Sequence, residues 1–435
     1  MSSFLTRTAV AGLMTLLACD AIAFSATHYA LELEPDFEGR SLEARARITL
    51  QAGTEPASVL TLSSRRLQIT SARWGRDVLE LEKTAGGWSA PLTRAQARAS
   101  QAVLEVSYKA GPSPGLVFGK DHVYTAFHTC HWLPCLESDL SRASIEIRLV
   151  LPAGFRSVAS GRRLPSTNPG KRPDPHSWHQ PSPYPLYTLG FAAGRFIEVM
   201  DTADPRLRYL GLAQDPQILR TKFRDSARML AWFEDKAGSP LPHPVYTQVL
   251  VPGAVAQEAS SFSLIGARYL DPILDNPQED WIIAHEMAHQ WWGNQITCAS
   301  WSELWLNEAI AVFMTAAWKQ HRWGEAAYRR ELGLFEKSWQ AATEAGFDKP
   351  LSWTGSYPSL RIKRAIHYSK GALFFHALRE ALGETVFWQG LRHFSTTQLG
   401  KTVRARDLQV AMEAKAGRSL QPLFEAWVYP ERPAP

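Results

Sequence analysis

At 435 residues with 45% hydrophobic content, the chain is long enough to bury a sizeable core and to form two or more domains. Its formal net charge of +5 is small for this length, and the sequence has no block of Lys and Arg and no RNA-binding signature. This composition argues against a nucleic-acid-binding protein, and the positive balance is better explained as a contribution to solubility.

The first 23 residues have the pattern of a secretion signal. Arg7 supplies a positive charge, an apolar run covers 9–18, and A-I-A at 21–23 offers a cleavage site. The run is too short to span a membrane. We therefore expect export across the inner membrane to the periplasm or the cell envelope. A second interpretation stays open, because L-L-A-C ending at Cys19 resembles a bacterial lipobox and would leave the protein anchored as a lipoprotein.

Residues 24–199 are predicted to form an all-β domain. Short stretches alternate apolar and polar residues and are separated by turn residues. The predicted strands are 29–33, 44–50, 102–108, 145–151 and 186–191. A proline-rich segment from Pro165 to Pro185 interrupts this pattern, and we expect a long surface hairpin or loop there.

Three cysteines follow the signal, in a compartment that would permit disulfides. Cys130 and Cys135 are close enough in sequence to pair, but the sequence does not decide whether they do. His128 and His131 lie beside them at a spacing that fits no standard zinc site, so a loop or pocket-wall role is favoured. Cys298 is expected to be a small buried side chain.

Helical periodicity dominates from residue 200 to 435, which we take as the second domain. A helix is predicted over 216–236, with Asp215 as its N-cap. A strand is predicted over 246–251. Further helical segments are predicted at 316–347, 386–394, 405–416 and 420–429.

The residues that carry chemistry lie between 281 and 308. His285 and His289 are four apart, so on a helix both imidazoles project from one face and can bind one zinc ion. Glu286 lies beside that position and can take a proton from a water molecule there. Glu308, in a second helical segment, is the candidate third ligand. The spacing predicts one Zn²⁺ ion bound by two histidines and a glutamate, with Glu286 as general base.

H-E-x-x-H at 285–289, followed by eighteen residues and then the W-L-N-E that ends at Glu308, resembles the M1 family of zinc aminopeptidases, in the gluzincin clan. The resemblance implies an α+β fold, with an N-terminal all-β domain followed by a mostly helical thermolysin-like zinc peptidase domain carrying a small sheet. L-P-C-L-E at 133–137 resembles a landmark of the family's first domain. Larger members continue into C-terminal domains, so we expect a short form with a more open cleft.

The same resemblance implies roles for two residues outside the zinc motif. Tyr368, in a segment similar to the family's Y-x-K-G, would donate a hydrogen bond to the oxyanion. Glu258 lies where the family has G-A-M-E-N, whose Glu binds the free α-amine of a peptide. Only Ala256 and Glu258 match that motif. The Gln that the family usually places ahead of the landmark is missing from 124–131.

We therefore predict a zinc metallopeptidase that removes N-terminal residues from peptides. A zinc endopeptidase or a specialised non-peptide hydrolase on the same site stays open, because the amine-binding motif is altered. A non-enzymatic binding protein is disfavoured by the intact ligands, base and Tyr. Peptides are the expected partners, and membrane contact is expected only through a lipid on Cys19. Glu303 and Asn307 are candidates to orient the metal ligands.

Overall fold

The structure is a computed structural model that describes residues 24–53, 58–136, 140–165, 176–212 and 215–430. The predicted signal at 1–23, with Cys19, lies outside these residues, and so does Glu137 of the L-P-C-L-E segment. Within the described ranges, every helix is too short or too polar to cross a bilayer.

Strands form almost all of the N-terminal part of the chain. In chain order, β1 to β15 are Phe24–Asp36, Ser41–Ala52, Val59–Leu62, Gln68–Trp74, Asp77–Val78, Glu82–Lys83, Trp88–Pro91, Gln101–Ala110, Leu116–Phe118, His122–Thr125, Arg142–Leu149, Arg156–Ala159, Arg162–Arg163, Ser177–Pro185 and Phe191–Gly194. A single helical turn, α1, covers Arg94–Ala97.

These strands form an eight-stranded sheet in the order β13-β14-β11-β1-β2-β8-β4-β5, with a four-stranded and a three-stranded sheet. The central strand β1 is antiparallel to β2 and parallel to β11. Along β1, Tyr29, Leu31 and Leu33 are buried while Glu32 and Glu34 are exposed. This alternation buries one face of the sheet against a hydrophobic core, as period-2 patterning requires.

The predicted strand at 186–191 is wrong at its start. Leu186–Thr188 form a 3₁₀ turn, and the strand begins only at Phe191. Leu189 N–H donates to Leu186 O at 3.0 Å, and Thr188 Oγ1 donates to Pro185 O at 2.8 Å. These local bonds replace the ladder that an extended chain would have formed.

The hairpin predicted in the proline-rich segment is confirmed at its base. β13 pairs antiparallel with β14, so Arg162 faces His179 and Arg163 faces Trp178. Its tip, 166–175, lies outside the described residues. Cys130 and Cys135 are joined by a disulfide with a Cα–Cα distance of 5.4 Å, whereas Cys298 is free and buried.

The second part of the chain combines a five-stranded sheet with helices. Strands β16 to β20 are Phe196–Met200, Leu207–Leu212, Tyr246–Val251, Ala256–Gln257 and Phe262–Gly266, in the order β16-β17-β18-β20-β19. Two short strands, β21 and β22, cover Thr297–Cys298 and Thr402–Val403. Helices α2 to α12 are Pro216–Lys222, Ser226–Ala237, Ala267–Leu270, Trp281–Ala288, Trp305–Trp323, Glu325–Glu344, Leu360–Arg364, Gly371–Leu382, Glu384–Gln398, Ala405–Ala416 and Gln421–Trp427. The predicted α+β fold class is confirmed.

The helix predicted over 216–236 is in fact two helices, α2 and α3. Asp215 caps α2 as expected, accepting from Gln217 N at 2.8 Å. At the break, Asp225 accepts from Arg322 Nε of α6 at 3.1 Å, and Ser226 Oγ donates to Gln248 in β18 at 2.7 Å. These tertiary bonds redirect the chain where its periodicity alone would continue a helix.

A buried acid, Asp280, precedes α5. Trp318 Nε1 and Trp323 Nε1 donate to its Oδ2 at 2.9 and 3.2 Å, while Oδ1 has no partner among the described residues. Burial raises the pKa of Asp280 to about 6, although the two indole bonds oppose the shift.

Replacing Asp280 with Asn should stabilise the fold more at pH 7 than at pH 4. The folded pKa of about 6 exceeds the ordinary value of 3.8, so ionised Asp280 costs stability as pH rises through that window. The unfolding free energy, variant minus wild type, should increase by about 1–3 kcal/mol between the two pH values. Urea denaturation at both pH values measures it, and a pH-independent difference would contradict the argument.

Candidate active site

His285, His289 and Glu308 meet between α5 and α6. The two Nε2 atoms are 3.1 Å apart, and each lies 3.5 Å from Glu308 Oε2. One ligand atom from each residue lies within 4.8 Å of the others. Across the described ranges, this is the single group of three or more His, Cys, Asp or Glu residues that could hold a metal ion. The structure thus brings together the three residues that the sequence predicts as ligands.

Trp292 and Gly293, which follow α5, position His289. Its Nδ1 lies 2.8 Å from Trp292 O and donates to that carbonyl, so Nε2 is the ring nitrogen that would bind a metal ion. Gly293 has φ +128°, and a Cβ there would lie 2.8 Å from His289 Nδ1. Because a larger residue would press on this ring and strain the backbone, only glycine suits the position.

The charges around the triad fit a divalent cation. Burial raises the pKa of Glu286 and of Glu258, although the charge on His289 opposes both shifts. Burial also opposes ionisation of Glu308, but His289 and His285 outweigh it and lower the pKa of that carboxyl. Two imidazole nitrogens and one carboxylate oxygen are the donor set of a catalytic zinc site. The residues present therefore fit one zinc ion.

Glu286 faces the same cavity as the triad. It is 3% exposed, and its Oε2 has no hydrogen-bond partner among the described residues. A buried carboxylate oxygen without a partner is costly unless a ligand or water molecule completes it. The position next to His285 in α5 therefore presents a proton acceptor to whatever occupies the cavity.

Tyr368 comes from a π-helical turn, Ala365–Lys370, which precedes α9. Gly371 permits this turn to approach α6, because a Cβ there would lie 2.4 Å from Ala309 Cβ. The Tyr368 ring stacks on His285 with centroids 6.3 Å apart. Burial, then the charge of Glu308, raises the pKa of Tyr368 well above its usual value. The hydroxyl therefore keeps its proton and can donate it in a hydrogen bond.

Glu258 follows β19 at the edge of the five-stranded sheet and is 6% exposed. Gln257 Nε2 donates to Glu258 Oε2 at 3.2 Å, while Gln257 Oε1 accepts from Phe127 N. The carboxylate faces the cavity that Glu286 and the triad also line. Glu258 therefore lies directly after the edge strand and faces the cavity that contains the triad.

The cavity has a volume of about 310 Å³ and extends well beyond the triad. Its walls also include these residues: Phe127, Tyr269, Trp281, Ile282, Val312, Thr315, Glu331, Phe335 and Arg364. Phe127 has φ +53°, a conformation that bulky residues rarely adopt. Phe127, Tyr269, Glu331, Phe335 and Arg364 come from segments other than α5 and α6, so only the fold reveals that they share this cavity.

The side chains of Glu303 and Asn307 form hydrogen bonds with residues other than the three predicted metal ligands. Asn307 Oδ1 accepts from Cys298 N at 2.9 Å, and its Nδ2 donates to Tyr187 Oη at 3.0 Å. Glu303 accepts from Ser352 Oγ at 3.3 Å and from the backbone of α11. Tyr187, which sequence reasoning missed, also donates to Gly293 O at 3.2 Å. Its hydroxyl thereby connects the β-rich part of the chain to the segments that carry His289 and Glu308.

Comparison with known proteins also indicates a peptidase domain. Residues 222–427 match the family described as Peptidase family M1 domain. Aminopeptidase N of Lactococcus lactis is 24% identical over 339 residues, which cover 71% of this chain and 39% of that protein. Leucine aminopeptidase 2 of Eremothecium gossypii is 27% identical over 290 residues, which cover 63% and 44%. The chain therefore spans less than half the length of either relative.

A solved structure shares the fold over nearly the whole chain. The M1 zinc metallopeptidase from Deinococcus radiodurans superposes with a TM-score of 0.77 at 24% identity, covering 95% of each chain. The matched domain contains α5, α6 and the π-helical turn, which together carry the triad, Glu286 and Tyr368. Residues 222–427 of this chain therefore form a peptidase family M1 domain.

Proposed function

We propose that this protein is a zinc-dependent aminopeptidase. The observation that carries the proposal is that four features face one cavity: the triad, the Oε2 of Glu286 with no partner in the described part of the chain, the protonated hydroxyl of Tyr368 and the buried carboxylate of Glu258. A metal site alone would suit many hydrolases. The added carboxylate beside it suits a substrate with a free amine.

In the proposed reaction, His285, His289 and Glu308 would hold the metal. When bound, zinc supplies Lewis acidity that polarises the scissile carbonyl and lowers the pKa of water. Oε2 of Glu286 accepts a proton from the attacking water molecule. Glu286 then delivers this proton to the leaving amine. Tyr368 Oη donates a hydrogen bond to the carbonyl oxygen as negative charge develops there.

Glu258 would set the position of cleavage. Because it is buried beside the triad, an ammonium that reaches it forms a charge-assisted hydrogen bond in an environment of low dielectric. A peptide anchored in this way presents its first peptide bond to Glu286. A structure of the related Deinococcus radiodurans enzyme was solved with a Tyr-Ser-Ala substrate, which supports a short peptide as the ligand class.

Replacing Glu258 with Gln should lower kcat/KM for free-amine peptides by about 10-fold to 100-fold, because a hydrogen bond to a charged group is lost. Hydrolysis of N-acetylated peptides, slow in both proteins, should not change. Mass spectrometry of matched free and acetylated peptides, with a chelated control, measures both rates. Glu303→Gln is the matched control, since that carboxylate bonds Ser352 outside the cavity.

The same assay distinguishes the remaining alternatives. Stepwise loss of N-terminal residues that stops on chelation supports an aminopeptidase. Internal cleavage of acetylated peptides at comparable rates would instead identify an endopeptidase. If zinc-loaded protein cleaves no peptide, the aminopeptidase proposal fails in favour of a specialised hydrolase.

We also propose that the protein acts outside the cytoplasm. The disulfide between Cys130 and Cys135 supports this, because such bonds persist in oxidising compartments. The signal-like pattern at 1–23 agrees with it.

A further inference from the structure

Gln257 is a buried amide on the edge strand β19, directly before Glu258. Its Oε1 accepts a hydrogen bond from Phe127 N, and its Nε2 donates to Glu258 Oε2 at 3.2 Å. Nε2 also donates to Tyr187 O at 3.5 Å. Both ends of the amide therefore have partners, and one of these partners is the carboxylate that is proposed to bind the substrate amine.

The backbone N–H of Phe127 determines which way the amide of Gln257 points. An N–H group can only donate, so it requires the amide oxygen and directs the NH₂ group to the other side. The groups on that side, Glu258 Oε2 and Tyr187 O, are both acceptors. With the amide turned over, two donors would meet at Phe127 and two acceptors at Glu258, which is unfavourable in a buried position. The hydrogen-bond pattern therefore requires Gln257 to donate to the carboxylate.

The turn that carries the Phe127 N–H is held in place by its own contacts. Phe127 has φ +53°, a conformation that persists only where the surrounding structure supports it. Thr129 Oγ1 donates to Leu186 O at 2.8 Å and lies 3.2 Å from Phe127 O. Cys130, the next residue, is joined to Cys135 by the disulfide. Gln257 thus connects Glu258 to a fixed point in the β-rich part of the chain.

Glu258 is the first residue beyond the pairing that holds β19. The ladder between β19 and β20 pairs Ala256 with Ile265 and Gln257 with Leu264, and it ends there. Adjacent residues within a regular strand project to opposite faces, so the two side chains can meet only because the strand ends between them. A glutamate side chain has several rotatable bonds. The hydrogen bond from Gln257 restricts them and favours one position of the carboxylate.

We propose that Gln257 is a positioning residue that holds the carboxylate of Glu258 where the substrate amine reaches it. Glu258 and Ala256 line the cavity, whereas Gln257 is not among the residues that line it. A carboxylate oxygen can accept more than one hydrogen bond, so Oε2 keeps its bond to Gln257 while an ammonium binds. This inference rests on the proposed aminopeptidase function, in which Glu258 binds the α-amine.

Gln257→Met keeps the length of the side chain and removes both hydrogen bonds. For free-amine tripeptides and zinc-loaded protein, KM should rise by about 5-fold to 50-fold, because a hydrogen bond to a charged group is lost. The catalytic groups are untouched, so kcat should change by less than about threefold. Steady-state kinetics measures both parameters. A general distortion of the cavity would instead lower kcat, which would contradict a role confined to Glu258.

Binding of two amides isolates the contribution of the amine. Leucinamide and 4-methylpentanamide differ only in the α-amino group, and calorimetry on zinc-loaded Glu286→Gln protein measures both without any reaction. Leucinamide should bind about 10-fold to 100-fold more tightly. Gln257→Met should reduce this ratio at least about 5-fold. In protein that also carries Glu258→Gln, it should cause no further reduction, because Gln257 acts through that carboxylate.

Gln409→Met is the matched control. Gln409 is also buried, accepts from Tyr429 Oη at 2.6 Å and donates to Glu413 Oε1 at 2.9 Å. It belongs to α11 and is not among the residues that line the cavity, so its loss should leave the ratio unchanged. A crystal structure of unaltered zinc-loaded protein with leucinamide adds a test without substitution. In it, Gln257 Nε2 should stay within hydrogen-bond distance of Glu258 Oε2 while that carboxylate binds the amine.

The outcomes keep the two proposals apart. The positioning role is overturned, and the aminopeptidase stands, if Gln257→Met leaves the ratio unchanged or lowers it equally in the Glu258→Gln background. The same conclusion follows if the bound structure shows the amide of Gln257 turned away from Glu258, or if Gln409→Met lowers the ratio as much. Equal binding of the two amides by protein with Gln257 and Glu258 intact, with no cleavage of any free-amine peptide, overturns the aminopeptidase itself.

Discussion

Glu286→Gln should lower kcat by about two to four orders of magnitude while the protein still binds zinc. Gln has nearly the same shape and keeps an oxygen in the cavity, but it cannot accept the proton that Oε2 of Glu286 is placed to receive. The three expected ligands are untouched, so the metal content should stay near one zinc per chain. Steady-state kinetics with atomic absorption on the same sample measures both quantities.

Glu303→Gln serves as the control for the general-base experiment. Glu303 lies between His289 and Glu308 in sequence, yet it bonds Ser352 and the start of α11 rather than the cavity. Its loss should change kcat by less than about threefold. If Glu286→Gln retained full activity with normal zinc content, Glu286 could not be the proton acceptor.

Tyr368→Phe should reduce kcat by about 10²-fold to 10³-fold, with a much smaller effect on KM. The hydroxyl would act mainly where charge develops on the carbonyl oxygen, so the ground-state complex loses little. The ring would remain stacked on His285, and the cavity would keep its shape. Stopped-flow or steady-state measurement of both parameters separates this result from a simple loss of binding.

Tyr357→Phe is the matched control for Tyr368. Its hydroxyl bonds His367 Nε2 at 2.8 Å and lines a different cavity from the one that contains the triad. A fall in kcat confined to Tyr368→Phe supports the oxyanion role. Equal losses in the two variants would instead indicate a shared structural effect on the π-helical turn.

Much of the site could be predicted because its residues follow one another at helical spacing. His285 and Glu286 lie on α5 and His289 directly follows it as the C-cap, and the distance to Glu308 matched a known family pattern. Gly293 and Gly371 add to the site's local determinants, since a Cβ at Gly293 would collide with His289 and a Cβ at Gly371 would collide with Ala309. The α+β class was implied by the resemblance to the M1 family, and it agreed with the change in periodicity near residue 200.

The features that the sequence did not predict depend on contacts that a local pattern cannot show. Nothing near Glu331 in the sequence indicates that α7 brings it to the wall of the cavity that contains the triad. The break between α2 and α3 arises where Asp225 meets Arg322, nearly a hundred residues away. The 3₁₀ turn at 186–188 replaced a predicted strand because local hydrogen bonds outcompeted pairing. Local periodicity contains no information about such partners.

Tyr187 limits how independently the two parts of the chain can change during evolution. One hydroxyl in the β-rich part bonds both Gly293, beside His289, and Asn307, beside Glu308. A foreign β-rich part grafted onto this catalytic part would leave Asn307 without its bond unless it supplied an equivalent hydroxyl. The two parts are therefore not freely interchangeable. We expect substitutions at positions 187 and 307 to occur together in related sequences.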